Sequence, residues 1–174
     1  MYLISLYFDQ MTDNKLRSYM KQIAKRTENT VMLDDNIPPH VTVSAFQTES
    51  EGLAIEIFER ATRNLAAGNL QWVSVGTFLP QVIYVAPVLN EFLQGLSETI
   101  YKEMIGTENV VLRGNYQPYA WMPHATLAKH LTKEQMRDAF EVMQNQFAPF
   151  ESKIIKIGLA KTNPYTDLTA FELK

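Results

Sequence analysis

Two copies of one short pattern stand 84 residues apart in this chain: Pro39-His40-Val41-Thr42-Val43 and Pro123-His124-Ala125-Thr126-Leu127. The sequence around them repeats at nearly the same spacing. Residues 71–77 shifted by 84 fall on 155–161, which carries Val73 onto Ile157 and Val75 onto Leu159. Residues 3–8 shifted by about 79 fall on 82–87. Each half therefore reads strand, helix, strand opening with histidine, helix, strand. A unit of about 80 residues is too long for a solenoid repeat, and two copies are too few for an array. The expectation is an α+β, bilobal duplicated fold: two small, mostly antiparallel sheets with outer helices flanking a central cleft. Residues 1–174 form one such domain, with repeat halves of about 1–79 and 80–174. The two histidine strands would then face each other across the cleft.

The individual elements follow from hydrophobic period and punctuation. YLISLYF at 2–8 is rich in strand formers. Leu16, Met20 and Ile23 set a helix over 12–27, with Thr12 or Asp13 as N-cap. Asp34-Asp35-Asn36 reads as a polar loop before Pro38-Pro39 and a strand at 40–46. A second helix covers about 50–67 with Gly68 as its stop, and strands at 70–78 and 81–86 meet near Pro80. Helices at 89–104 and 133–147 bracket an aromatic loop, Gly114 to Trp121, and a strand at about 124–130. Strands at 153–161 and 168–173 close the chain as a hairpin through Asn163-Pro164-Tyr165.

Composition narrows the function classes. With 46% hydrophobic and 20% charged residues the chain is globular rather than disordered or fibrous. A net charge of −3 argues against a protein that grips duplex DNA through a broad basic surface. The absence of cysteine removes disulfides, thiol nucleophiles and cysteine-based zinc sites. Residues 64–90 carry no charge, but Gly68, Gly76, Pro80 and Pro87 break them into two strands and a turn, not a membrane helix. The first ten residues lack the basic start of a signal peptide, so a cytoplasmic location away from membranes is expected.

Only three histidines are present, each followed by x-Thr: His40, His124 and His130. His130 follows Lys129 rather than proline, and Thr132 three before Gln135 looks like a capping box, so His130 is set apart. In a strand, residues i and i+2 project to one face. His40 with Thr42, and His124 with Thr126, each offer an imidazole for proton transfer and a hydroxyl for an anionic oxygen. Two such pairs around one small volume suit a phosphodiester, because imidazole titrates near neutral pH, at about 6.5. Taken singly, either histidine reads as an ordinary strand-start residue and either threonine as a strand former. A metal site is disfavoured, since two histidines need further ligands and Asp34-Asp35 reads as a solvated loop pair. No cofactor is expected.

The paired motifs resemble those of the two-histidine phosphoesterase superfamily, in particular its 2′-5′ RNA ligase-like and cyclic phosphodiesterase group. The stretch Trp121-Met122-Pro123-His124-Ala125-Thr126-Leu127-Ala128-Lys129 is similar to that group's Trp-x-Pro-His-x-Thr-Leu-Ala-basic signature. The first motif fits the His-x-Thr-hydrophobic core but continues as Val43-Ser44-Ala45-Phe46, unlike the ligase branch. The resemblance implies a bilobal fold, metal-independent chemistry on RNA ends or small cyclic nucleotides, and site residues His40, Thr42, His124 and Thr126. It carries Lys129 over as a phosphate-binding residue, although in a regular strand Lys129 points away from His124 unless a bulge intervenes. Tyr116 and Tyr119 are candidates to stack on a base, Trp121 for loop packing, and Arg113 to draw in a phosphate. The function read on this basis is hydrolysis of a 2′,3′-cyclic phosphate or a related cyclic or 2′-5′ linked phosphodiester. The alternatives are a non-catalytic nucleotide-binding module with the same cleft, and an RNA-binding sheet. The latter lacks its aromatic–glycine motif here. The sequence leaves the oligomeric state open.

Overall fold

The strand YLISLYF and its successors alternate with amphipathic helices in chain order. These are β1 (Tyr2–Phe8), α1 (Gln10–Thr27), α2 (Val31–Asp34), β2 (Val41–Gln47), α3 (Glu51–Thr62), β3 (Gly68–Phe78) and β4 (Val82–Pro87). The second part continues with α4 (Glu91–Met104), β5 (Val111–Leu112), β6 (Ala125–Ala128), α5 (Lys133–Gln146), β7 (Phe150–Lys161) and β8 (Thr166–Glu172). The structure, a computed structural model, describes residues 1–174.

The strands form one antiparallel network in the order β5-β2-β1-β7-β3-β4-β6, with β8 added to β7. The central six, β2-β1-β7 and β3-β4-β6, mirror one another if β1 is exchanged with β4, β2 with β6 and β7 with β3. The expected pair of small sheets is present as two half-sheets joined through their third strands. Residues Gly68–Trp72 of β3 pair with Phe150–Ile154 of β7, while the rest of β3 pairs with β4 and the rest of β7 with β1. The halves are interlaced, because the third strand contributed by the second half completes the sheet begun by the first. The helices follow the same rule: α1 packs on α5, and α3 on α4. One hydrophobic cluster of 35 buried residues therefore runs through both halves, from Leu6 and Val43 to Ile83 and Leu127. The buried indole of Trp72 donates to Ser152 Oγ at 2.8 Å and fastens β3 to β7 inside it.

Local readings differ from the structure in three places, each with a physical cause. The N-cap of α1 is Asp9, not Thr12 or Asp13: its carboxylate accepts from the Thr12 backbone N–H and hydroxyl and from the Lys153 N–H, which ties the helix start to β7. Helix α3 stops at Thr62, whose hydroxyl bonds back to the Phe58 carbonyl at 2.7 Å. Gly68 is no helix stop but the first residue of β3, where a Cβ would lie 2.5 Å from the Phe92 ring. The short α2 and β5 fall outside the elements expected from the sequence.

Candidate active site

His40 and His124 are the last residues before β2 and β6. In both motifs a proline precedes the histidine and biases the residue before it toward extended backbone. The carbonyl of that residue, Pro38 in one case and Met122 in the other, meets the imidazole Nδ1 at 2.8 Å. A carbonyl only accepts, so Nδ1 carries the hydrogen and the neutral ring keeps its lone pair at Nε2. The proline of the pattern thus has a chemical consequence: it fixes one tautomer in both halves.

The threonines are placed by register. Thr42 stands opposite Ser5 on β1 and Thr126 opposite Tyr84 on β4. Ser5 Oγ and Thr42 Oγ1 are 3.4 Å apart. Immediately after each threonine the pairing slips by one: Ile4 faces Ser44 and Ile83 faces Ala128, leaving Val43 and Leu127 as extra residues. These matched β-bulges reverse the alternation of everything beyond them. Ile4 and Ile83 are buried in the core, so Ala128 turns to the core side and the next residue returns to the threonine side. Lys129, which a regular strand would point away, thereby lines the same cavity as Thr126.

That cavity, about 660 Å³, is lined among others by His40, Thr126, Lys129, Asp35, Asn163 and Tyr165. His40 and Thr126 reach it from opposite halves. Lys129 Nζ is held 2.6 Å from Asp35 Oδ2, an ion pair across 94 residues of sequence. His124 lines a second recess of about 370 Å³ with Phe78, Tyr116 and Met122. The Phe78 ring meets it edge-on at 4.8 Å, and the Tyr84 ring lies 5.3 Å away. Gly76 makes room for Tyr84, since a Cβ there would come within 2.5 Å of that ring. The charge of His124 reaches His40. Burial pushes the His40 imidazole below its ordinary value, the Pro38 carbonyl opposes this, the His124 charge adds to it, and the Asp167 carboxylate opposes it. Burial likewise lowers His124, with the Met122 carbonyl opposing.

Other sequence candidates divide. Tyr116 lines the His124 recess. Tyr119 does not: its ring is 80% exposed and its hydroxyl donates to Glu98 on α4 at 2.7 Å. Arg113 is exposed after β5 and lines neither cavity, its backbone N–H bonding the Ala45 carbonyl. Trp121 is buried packing. His130 is exposed at φ 59°, where it ends the run of β6, and Thr132 with Gln135 forms the expected capping box on α5. Sequence reasoning missed Ser5, Tyr7, Phe78, Tyr84, Asp35 and Tyr165. Ser5 and Tyr84 were within reach, since the shift of about 79 between the first strands of the halves carries one onto the other. No group of three or more histidine, aspartate or glutamate side chains is arranged to hold a metal ion, and no helix is long and apolar enough to cross a membrane.

A family model described as the 2′-5′ RNA ligase superfamily matches residues 13–165. The chain belongs to that superfamily. Among solved structures, this superfamily member is similar to a phosphoesterase at 14% identity, covering 99% of this chain and 98% of that one with a TM-score of 0.61. It is also similar to E. coli LigT in apo form, at 13% identity, 99% and 96% coverage and a TM-score of 0.55. For E. coli LigT complexed with NADP+ the values are 15%, 99%, 96% and 0.59. At these identities the likeness is one of fold. No curated protein sequence matches the chain.

Proposed function

We propose that this protein is a metal-independent phosphodiesterase that uses water to open a 2′,3′-cyclic phosphate, or a related cyclic or 2′-5′ linked phosphodiester, at RNA ends or in small nucleotides. The observation that carries the reading is the matched state of the two imidazoles. Each has Nδ1 bonded to a backbone carbonyl at 2.8 Å and Nε2 left to exchange protons, and the charge of His124 reaches His40 from the other half of the molecule. One neutral imidazole accepts a proton from water as the water oxygen bonds to phosphorus. The bond from phosphorus to the ribose oxygen breaks, and the other histidine, as imidazolium, returns a proton to that oxygen. Thr42 and Thr126 donate hydroxyl hydrogens to the non-bridging oxygens. Lys129 exchanges Asp35 for the phosphate. Complexes of E. coli LigT with NADP+ and with 3′-AMP support nucleotides as the ligand class.

The test is incubation of the chelator-treated protein with 2′,3′-cyclic nucleotides and 2′-5′ dinucleotides, with the products identified. Conversion of a cyclic phosphate to a single nucleoside monophosphate in the presence of EDTA is the expected result. Turnover that EDTA abolishes and Zn²⁺ or Mn²⁺ restores would overturn it.

A further inference from the structure

Behind His40, and only there, stands a hydrogen-bonded chain that ends in a carboxylate. The Tyr7 hydroxyl lies 3.1 Å from the Tyr165 hydroxyl, and Tyr165 donates to Asp167 Oδ1 at 2.9 Å. Tyr165 has one hydrogen, and Asp167 takes it. The bond between the tyrosines must therefore be donated by Tyr7, and the chain runs one way, Tyr7 to Tyr165 to Asp167. The elements that build it differ: β1 supplies Tyr7, the β7–β8 turn supplies Tyr165 and β8 supplies Asp167. Gly158 on β7 leaves space for Tyr7, since a Cβ there would sit 2.9 Å from its ring. Tyr7 is buried with its ring centroid 6.3 Å from that of His40, and Tyr165 lines the 660 Å³ cavity with His40.

The other half is built differently. The register that carries Ser5 onto Tyr84 carries Tyr7 onto Ala86, which has no hydroxyl. His124 packs instead on Tyr84, whose hydroxyl donates to the Met122 sulfur at 3.8 Å, and no carboxylate ends that contact. The two half-sites share the imidazole–carbonyl bond and the threonine, and they diverge in what lies behind the ring.

We propose that Tyr7, Tyr165 and Asp167 are positioning residues for His40: a one-way hydrogen-bonded chain that holds the ring and keeps its protonated form within reach despite burial. Burial also raises both tyrosine hydroxyls, Tyr165 further through its bonds to Tyr7 and Asp167, so both keep their hydrogens and the chain keeps its direction at working pH. Charged and titratable groups around this corner are few. Asp167 favours the imidazolium, and His124 opposes it. Lys129 and Asp35, on the cavity wall, are paired with each other. Lys156 sits over the outer face of the Tyr7 ring, 5.0 Å from its centroid. Within that set the chain is the direct link from His40's neighbour to a full negative charge, and hydrogen bonds in series polarise one another.

The role of the chain in turnover rests on the proposed function, with His40 as the imidazolium that gives up its proton; its effect on the imidazole does not, and the experiment keeps the two apart. The three histidine ring signals are followed by NMR against pH in the wild type, Asp167→Asn, Tyr165→Phe and Tyr7→Phe, with His130 as the exposed internal reference. Asp167→Asn is expected to move the His40 midpoint to lower pH, and both Tyr→Phe variants to move it in the same direction by less. His130 should stay where it is, and His124 should move less than His40. In turnover, each Tyr→Phe variant should lower kcat/KM about 2–10-fold, the worth of one hydrogen bond, with the loss growing toward alkaline pH. An unmoved His40 midpoint in all three folded variants would overturn the proposal, as would an equal movement of His124. Shifted midpoints with no activity in any protein, wild type included, would leave the chain standing and remove the phosphodiesterase reading instead.

Discussion

With Nδ1 of His40 and of His124 committed to a backbone carbonyl, the nitrogen left to exchange a proton in both rings is Nε2. Burial pushes both imidazoles below about 6.5, the ordinary value, so the singly protonated pair predominates on the acid side of that value. The pH profile of kcat/KM should be a bell centred below pH 6.5, its two limbs belonging to the pair. Stability has the matching sign. The unfolded chain binds these two protons more readily than the folded one, so their contribution is complete above about pH 6.5 and is lost as pH falls from there toward the folded values. Urea melts of the wild type and of a His40→Gln/His124→Gln variant should converge between pH 7.5 and 5.5 if this holds. Thr126→Val removes one hydrogen bond to the phosphoryl group and should cost about 10–100-fold in kcat, by analogy with oxyanion-donor deletions. His130→Ala should leave turnover unchanged, since that ring is exposed outside the cavity. The two His-x-Thr pairs were legible because Pro-His-x-Thr is a local pattern, whereas the bond from each Nδ1 to a carbonyl depends on how the loop before the strand folds. Asp35 was not legible, because its partner Lys129 lies 94 residues away and nothing local marks the pair.

At the scale of elements, the matched bulges at Val43 and Leu127 do the placing. The spacing of His124 and Lys129 raised the need for a bulge, but a register slip is a property of two paired strands and has no signature in one. The close approaches of glycine were equally hidden: Gly68 read as a helix stop because its contact, the Phe92 ring, belongs to α4. Helices were legible from the spacing of their buried residues, and the cap of α5 from Thr132 and Gln135, whereas the cap of α1 was misread because Asp9 is chosen partly by its bond to Lys153 on β7. Gly76→Ala forces the Tyr84 ring to move, and that ring flanks His124. The variant should stay folded, because the displaced atoms are the far end of a side chain. Its kcat/KM should fall more than its melting temperature suggests. The control is Thr132→Ala, which should cost about 1 kcal/mol in urea melts through loss of the cap and leave kcat/KM intact.

For the whole molecule, the repeat read from two motifs gave the order of elements in each half but not the interlacing of the halves. Half-lengths and periodicity are the same whether each half closes on itself or lends its third strand to the other. Only the length of β7, 12 residues, allows it to pair with both β1 and β3, and its start at Phe150 lay outside the strand expected from the sequence. Interlacing matters for function, because a cavity walled by His40 from one half and Thr126 from the other exists only when both halves are in place. In the proposed mechanism the two halves contribute one acid–base pair to one transition state. Its most direct test is kcat/KM toward a 2′,3′-cyclic nucleotide for His40→Ala, His124→Ala and the double variant. Each single change should cost about 10²–10⁴-fold, and the double variant should lose far less than the product of the two, because either loss already disables the shared step. Losses that multiply, or a single variant that keeps wild-type turnover, would contradict it.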